Sequence, residues 1–195
     1  MLVPLLADIR ACRICAADLP HGPRPVLRLT HRAVLCVAGQ APGMRVHATG
    51  IAFNDPSGDR LRTWMGVTCE EFYDESRIAV VPMWFCFPGT DDAGADKPPR
   101  RECVAHWHAR LFAAAPRFSL ILAVGAYAHA YHLKGSAHKT VTGTVRAWRD
   151  YRPKIIPLPH PSWRNNAWLK RNSWFEIELL PYLRRRVRRV LASAR

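Results

Sequence analysis

The apolar run Ala33-Val34-Leu35-Cys36-Val37-Ala38 ends directly at the turn Gly39-Gln40-Ala41-Pro42-Gly43. A short run without polar alternation is typical of a strand that is buried on both faces of a parallel sheet. Glycine and proline then end the strand. Three further runs have the same character and are also predicted to be strands: Arg77 to Val81, Leu120 to Val124 and Lys154 to Leu158.

Helical patterns lie between and around these runs. The predicted helices are Leu2 to Ala11, Gly58 to Met65, Arg101 to Ala114, Ala126 to Leu133 and Trp174 to Leu191. In the last of them Leu180, Leu183, Val187 and Leu191 recur at helical spacing, and Pro181 is expected to kink the helix or to reset its start. The alternation predicts a three-layer α/β/α sandwich with a central four-stranded parallel sheet, and the length of 195 residues fits a single domain over 1–195.

Unusual residues follow each predicted strand. Ligands of such folds bind beyond the carboxyl ends of the strands, which share one edge of the sheet. The four segments at that edge are Gly39 to Gly43, Pro82 to Gly89, Gly125 to His129 and Pro159 to Asn166. We therefore expect the functional site there. The segment from Asp91 to Arg101 is a polar, proline-rich loop.

The charge balance is strongly basic. Lys and Arg number 29 against 15 acidic residues, so the formal net charge is +14. Such a surface attracts polyanions, and nucleic acid is the first candidate. No apolar run is long enough for a membrane span, and the amino-terminal residues do not fit a secretory signal, so we expect a cytoplasmic protein. We further expect a monomer that is associated with the bacterial nucleoid.

Six cysteines are present, and four of them form a candidate ligand set. Cys12 and Cys15 make a C-x2-C pair, and Cys86 and Cys103 complete the four. Four thiolates suit an iron–sulfur cluster, a structural zinc ion or no metal at all. The remaining two, Cys36 and Cys69, are interpreted as ordinary core cysteines.

Three motifs in this order resemble the uracil-DNA glycosylase superfamily, particularly its iron–sulfur members, families four and five. Gly39 to Gly43 is similar to the first motif, and Thr49-Gly50-Ile51-Ala52-Phe53 with Ser57-Gly58-Asp59-Arg60-Leu61 is similar to the stacking segment. His160-Pro161-Ser162 resembles the last motif. The resemblance implies a glycosylase that flips uracil out of DNA, hydrolyses its N-glycosidic bond and leaves an abasic site. It also favours a 4Fe-4S cluster over zinc at the four cysteines.

The resemblance implies roles for individual residues. His160 would donate a hydrogen bond to the carbonyl of the departing base, and Phe53 would stack under that base. Backbone groups of Gln40 and Ala41 would line the pocket. Contacts with DNA would come from Ser162, Trp163, Arg164 and Asn165 in the loop that follows His160.

Two departures from the family pattern affect the chemistry. The first motif has no acid to position the water, so another residue would have to activate the water. Asp55 and Asp59 are the candidates, although each could equally be a helix cap, and His47 is a weaker candidate. Pro82 stands where iron–sulfur members often have a base-reading asparagine, and proline has no side-chain donor. Reading of uracil would then involve Asn54, His160 or backbone groups.

Four alternatives stay open. The chain is a uracil-releasing enzyme, a glycosylase with a broader preference that includes hypoxanthine and xanthine, or an iron–sulfur DNA-binding module without activity. A small-molecule hydrolase on the same scaffold is the remaining possibility, because a fold does not fix a function.

Overall fold

The structure is a computed structural model that describes residues 1–92, 94–98 and 101–193. Its centre is one parallel sheet of four strands, β1 (Leu35–Ala38), β2 (Ile78–Val80), β3 (Leu120–Val124) and β4 (Ile155–Leu158). The strand order is β2-β1-β3-β4. All four predicted strands are present, although three of them are shorter than the apolar runs that predicted them. The predicted fold class is confirmed.

The helices cover both faces of this sheet. Their bounds are α1 (Leu2–Arg10), α2 (Met44–Thr49), α3 (Pro56–Met65), α4 (Cys69–Tyr73), α5 (Arg101–Cys103), α6 (Ala109–Ala114), α7 (Ala126–His132), α8 (Val141–Arg146), α9 (Trp148–Tyr151), α10 (Asn166–Arg171) and α11 (Leu180–Ala192). Short 3₁₀ turns lie at Ala16–Asp18 and Trp163–Asn165. The predicted helices are all present, and the short helices α2, α4, α8, α9 and α10 add to them.

Two of the predicted helices contain a π-helical turn. Val104–His108 joins α5 to α6, and Phe175–Leu179 leads into α11. Pro181 is the second residue of α11, directly after this π-helical turn, and both Leu179 and Leu180 have ordinary right-handed helical angles. The helical path is therefore continuous into α11, and the expectation that Pro181 resets the start of the helix is wrong. The expected kink at this proline stays a prediction.

The strands alternate between two hydrophobic cores. Leu35 and Val37 of β1 belong to the core that holds α3 and α11, while Cys36 belongs to the core that holds α1 and α6. Cys36 is thus a core cysteine, as expected, but the same interpretation of Cys69 is wrong, because Cys69 is exposed at the first residue of α4. Leu183 and Val187 of α11 are fully buried, as their spacing predicted. Because side chains of a strand point alternately to opposite faces, the sheet is covered on both sides and makes the middle layer of three.

The two edges of the sheet differ in what they carry. The guanidinium of Arg77, just before β2, donates to the carbonyl of Leu191 at 2.9 Å, so the carboxyl end of α11 lies at the amino edge of the sheet. The polar turns that follow the strands lie at the opposite, carboxyl edge. In the described part of the chain, no helix has the length and apolar character needed to cross a membrane.

Candidate active site

A cavity of about 460 Å³ opens at the carboxyl edge of the sheet. The segments that follow β1, β2 and β4 all contribute to its wall, together with the loop that carries Asp96. Its lining residues are Val26, Gly39, Gln40, Ala41, Pro42, Gly43, Val46, Ala52, Phe53, Asp55, Pro56, Ser57, Val80, Pro82, Asp96, His160, Ser162, Trp163 and Arg164. The sequence therefore predicted correctly which edge of the sheet carries the cavity.

The turn after β1 forms one side of the cavity. The carbonyl of Gly39 accepts a hydrogen bond from Met83 N at 2.9 Å, and the carbonyl of Gln40 accepts one from Trp84 N at 2.9 Å. These two bonds tie the turn to the segment that follows β2. Gly43 then forms the amino-terminal cap position of α2. The backbone of Gln40 and Ala41 is consequently held in place at the cavity wall.

Phe53 lies against this turn in a strained conformation. Its φ angle is +56°, a left-handed value that a bulky residue rarely adopts and that costs on the order of 1–3 kcal/mol. A Cβ on Gly39 would come within 3.2 Å of Phe53 Cζ, so the ring packs closely on the bare glycine. A Cβ on Gly58 would lie 1.7 Å from the Phe53 carbonyl oxygen. The ring position therefore depends on two glycines.

Hydrogen bonds hold the backbone around Phe53. The hydroxyl of Tyr73 donates to the carbonyl of Ala52 at 3.1 Å, and the guanidinium of Arg62 donates to the carbonyl of Phe53 at 3.3 Å. The ring also meets Phe72 edge to face, with ring centroids 6.1 Å apart. The aromatic surface is thus built before any ligand arrives.

Asp55 caps α3 and lines the cavity. Its Oδ1 accepts the N–H of Gly58 at 2.8 Å, which makes it the N-cap, and Pro56 follows as the first helical residue. The cap interpretation of Asp55 is therefore confirmed. Its negative charge also acts on His160 across the cavity.

His160 faces the cavity from the loop after β4. Its Nδ1 accepts the N–H of Ser162 at 3.2 Å, so the proton of a neutral ring lies on Nε2. Burial lowers the pKa of His160 below its ordinary 6.5, and the charge of Asp55 raises it in part. A neutral imidazole with a free Nε2–H donor is the form expected near pH 7.

Other residues position the His160 loop. Asn165 Nδ2 donates to the His160 carbonyl at 2.6 Å, and Arg60 donates to the Ser162 carbonyl at 2.9 Å. Trp163 is 70% exposed beside the cavity mouth, with the Arg164 guanidinium 5.7 Å from its ring centroid. The loop thus presents an aromatic side chain and a cation to solvent.

Several other residues singled out in the sequence lie outside the cavity lining. Asp59 pairs with Arg62 on α3, and its side chain is 75% exposed. Asn54, His47 and Asn165 also do not line the cavity. By contrast Pro82 does line it, and it is buried.

Asp96 was not identified from the sequence. It belongs to the polar loop that begins at Asp91, of which residues 93, 99 and 100 fall outside the described part. Burial raises the pKa of the Asp96 carboxyl above its ordinary 3.8; Arg164 lowers this pKa, and Asp55 raises it. An acid in a loop far from any motif gives no sequence signal, since only folding places it beside the first turn.

The four cysteines of the candidate ligand set surround a second, small cavity. Cys12, Cys15, Cys86 and Cys103 all line it, and Trp107 Nε1 donates to Cys12 Sγ at 3.4 Å. Burial raises the pKa of the Cys86 thiol to about 11 and that of Cys103 to about 12. Among the described residues, no three or more His, Cys, Asp or Glu side chains are arranged so that they could hold a metal ion as they stand.

One comparison with known proteins bears on this geometry. The family model described as the uracil DNA glycosylase superfamily matches residues 29–184. The chain belongs to the uracil-DNA glycosylase superfamily. The matched range contains the turn after β1, Phe53 and the His160 loop, whereas Cys12 and Cys15 precede it. Membership of the uracil-DNA glycosylase superfamily supports a hydrolase that acts on DNA as a glycosylase.

Proposed function

We propose that this superfamily member is a monofunctional uracil-DNA glycosylase, which hydrolyses the bond between uracil and deoxyribose and leaves an abasic site. The observation that best supports this proposal is the hydrogen bonding of the His160 ring. Its Nδ1 is occupied by the Ser162 N–H at 3.2 Å, which leaves Nε2–H as a donor at the cavity. No lysine lines the cavity within the described ranges, so we expect no Schiff base and no strand cleavage.

His160 would act on the departing base. As the bond between C1′ and N1 breaks, negative charge grows on the carbonyl oxygens of uracil. A fixed donor aimed at such an oxygen stabilises the transition state by roughly 3–4 kcal/mol. Because burial lowers the pKa of His160, the ring supplies this hydrogen bond as a neutral group.

Phe53 would bind the flipped base by stacking. Base–aromatic stacking contributes about 1–3 kcal/mol per base, and flipping a base costs a few kcal/mol. The ring is already fixed against Gly39, so little side-chain entropy is lost when the base enters. In this proposal Phe53 offsets much of the cost of flipping.

The loop after β4 would contact the DNA. Trp163 is 70% exposed and is proposed as the wedge that fills the space of the flipped base. Arg164 and Ser162 would contact phosphates, while Asn165 acts through its 2.6 Å hydrogen bond to the His160 carbonyl.

A base-release assay tests the proposal. A duplex with a single uracil should lose free uracil on incubation with the protein, and His160→Ala should reduce the single-turnover rate by about 10²–10³-fold. His31→Ala is the matched control, because His31 is exposed before β1, at the other edge of the sheet. Binding of the duplex without base release by the wild type would instead support the inactive DNA-binding module.

A broader base preference is a second candidate, and Pro82 favours it. This buried residue lines the cavity but has no donor with which to select uracil. Substrates with uracil, hypoxanthine or xanthine, in single-stranded and duplex DNA, would separate the two cases. Release of hypoxanthine at a rate near that of uracil would support the broader enzyme.

We also propose a 4Fe-4S cluster at Cys12, Cys15, Cys86 and Cys103. All four cysteines line the same small cavity, and none of them forms a disulfide. In such a cluster each cysteine binds a different iron, so the ligands enclose a volume, whereas four zinc ligands meet at one ion. When bound, the cluster would crosslink the segment after α1 to the segment after β2 and to α5.

Iron analysis tests the cluster. Protein purified without oxygen should contain about four irons per chain. Cys86→Ser should lose most of this iron, whereas Cys69→Ser should keep it, because Cys69 is exposed on α4 and does not line the cavity. A colourless wild type that contains zinc would contradict the cluster.

A further inference from the structure

The carboxylate of Asp96 reaches the turn after β1 from a different part of the chain. A Cβ placed on Gly43 would lie 3.7 Å from Asp96 Oδ2, which is van der Waals distance. Asp96 also lines the main cavity. A turn without an acidic residue of its own therefore has a carboxylate beside it.

Hydrogen bonds fix the loop that carries Asp96. Thr90 and Asp96 form an antiparallel bridge, and Lys97 N donates to the Gly89 carbonyl at 3.0 Å. Arg164 of the His160 loop donates to the Gly94 carbonyl at 3.3 Å. The position of the carboxylate is consequently coupled to the loop that carries His160.

Asp96 lines the cavity although the residue as a whole is exposed to solvent, so its carboxyl is only partly withdrawn from water. A carboxylate in that position can hold a water molecule inside the cavity. The neighbouring charges are Arg164, which favours the carboxylate form, and Asp55, which disfavours it. Asp55 also acts on His160. Asp96, Asp55 and His160 therefore line one cavity, and Asp55 is close enough to act electrostatically on both of the others.

Asp55 is the less available of the two acids. Its Oδ1 already accepts the N–H of Gly58 at 2.8 Å as the cap of α3. For Asp96, burial raises the pKa of the carboxyl, and a carboxylate with a raised pKa is a stronger base than an ordinary one.

We propose that Asp96 binds the attacking water and accepts its proton; this assignment rests on the glycosylase function proposed above. The C1′–N1 bond breaks, and its electron pair leaves with the base. The water oxygen forms the new bond to C1′, and one water proton passes to the Asp96 carboxylate. The released uracil takes a proton from solvent, and Asp96 later returns its proton there.

Asp96→Asn and Asp96→Glu test the assignment, with Asp92→Asn as the control because Asp92 is exposed on the same loop and does not line the cavity. Single-turnover uracil release is measured beside DNA affinity and melting temperature. We expect Asp96→Asn to lower the rate by about 100-fold, since an amide cannot accept the proton. DNA affinity should not fall, because the substitution removes a negative charge near Arg164, and the melting temperature should not change. Asp96→Glu should retain more activity than Asp96→Asn.

Two results would overturn the assignment while leaving the glycosylase function intact. One is an Asp96→Asn enzyme that releases uracil at the wild-type rate. The other is a loss of rate that is matched by a loss of DNA affinity, because Asp96 would then hold the loop rather than the water. A wild type that releases no base would reject the proposed function itself, and the assignment with it.

Discussion

The protonation state of His160 links the geometry of one residue to the chemistry of the site. The Ser162 N–H occupies Nδ1, so the donor is Nε2. Desolvation lowers the pKa of the ring, and Asp55 opposes this in part. A neutral donor keeps its proton throughout the reaction, which suits stabilisation of a departing anion by a hydrogen bond alone.

Nitrogen-15 NMR of the histidines should report this state directly. We expect His160 to be neutral at pH 7, with its proton on Nε2 and a titration midpoint below 6.5. Asp55→Asn removes a negative charge that favours the protonated ring, so it should lower the midpoint further. Asp59→Asn should leave the midpoint unchanged, because Asp59 is solvent-exposed and paired with Arg62. A protonated His160 at pH 7 would contradict the assignment.

The sequence predicted the cavity residues that lie in the motifs shared with the family. His160, Phe53 and Gln40 all line the cavity, as expected. Asp96 could not be predicted, because its place beside Gly43 depends on how a long loop folds back. Asn54 immediately follows Phe53 yet does not line the cavity, although the residues on both sides of it do.

At the scale of elements, the first turn of α3 both stabilises the helix and forms part of the cavity. Its N-cap Asp55 lines the cavity, and its buried Gly58 allows the Phe53 carbonyl to approach. The strands were predictable as uninterrupted apolar runs. The short helices α2, α4, α8, α9 and α10 were not, because four to six residues give too little periodicity to distinguish them from turns.

Two variants of Asp55 should separate its cap from its charge. Asp55→Ala removes the cap of α3 and should lower the free energy of unfolding by about 1 kcal/mol. Asp55→Asn keeps a capping oxygen and should retain most of that stability while losing the charge near His160. Urea denaturation checks both variants. Equal destabilisation by the two substitutions would mean that the charge, rather than the cap, stabilises the helix.

At the scale of the whole molecule, the parallel order β2-β1-β3-β4 collects the turns after β1, β2 and β4 at one edge. The sequence predicted that edge but not the order of the strands, which depends on contacts between distant segments. The net charge of +14 predicted an affinity for polyanions, and the family match agrees with DNA as the partner.

DNA binding should weaken steeply as salt increases, because Lys and Arg side chains release counterions from the phosphates. Arg164→Gln should reduce the slope of log Kd against log salt by about one. Arg189→Gln should leave the slope nearly unchanged, since the end of α11 lies at the edge of the sheet opposite the cavity. Fluorescence anisotropy at several salt concentrations measures both. Equal losses of slope would place the DNA on a different surface.

Uracil release in a single turnover, compared between the wild type and His160→Ala, decides whether this cavity is a glycosylase site. We expect the wild type to free uracil from a uracil-containing duplex without cutting the strand, and His160→Ala to be slower by about 10²–10³-fold at unchanged DNA affinity. An equally active His160→Ala enzyme, or a wild type that binds the duplex and frees no base, would contradict this expectation.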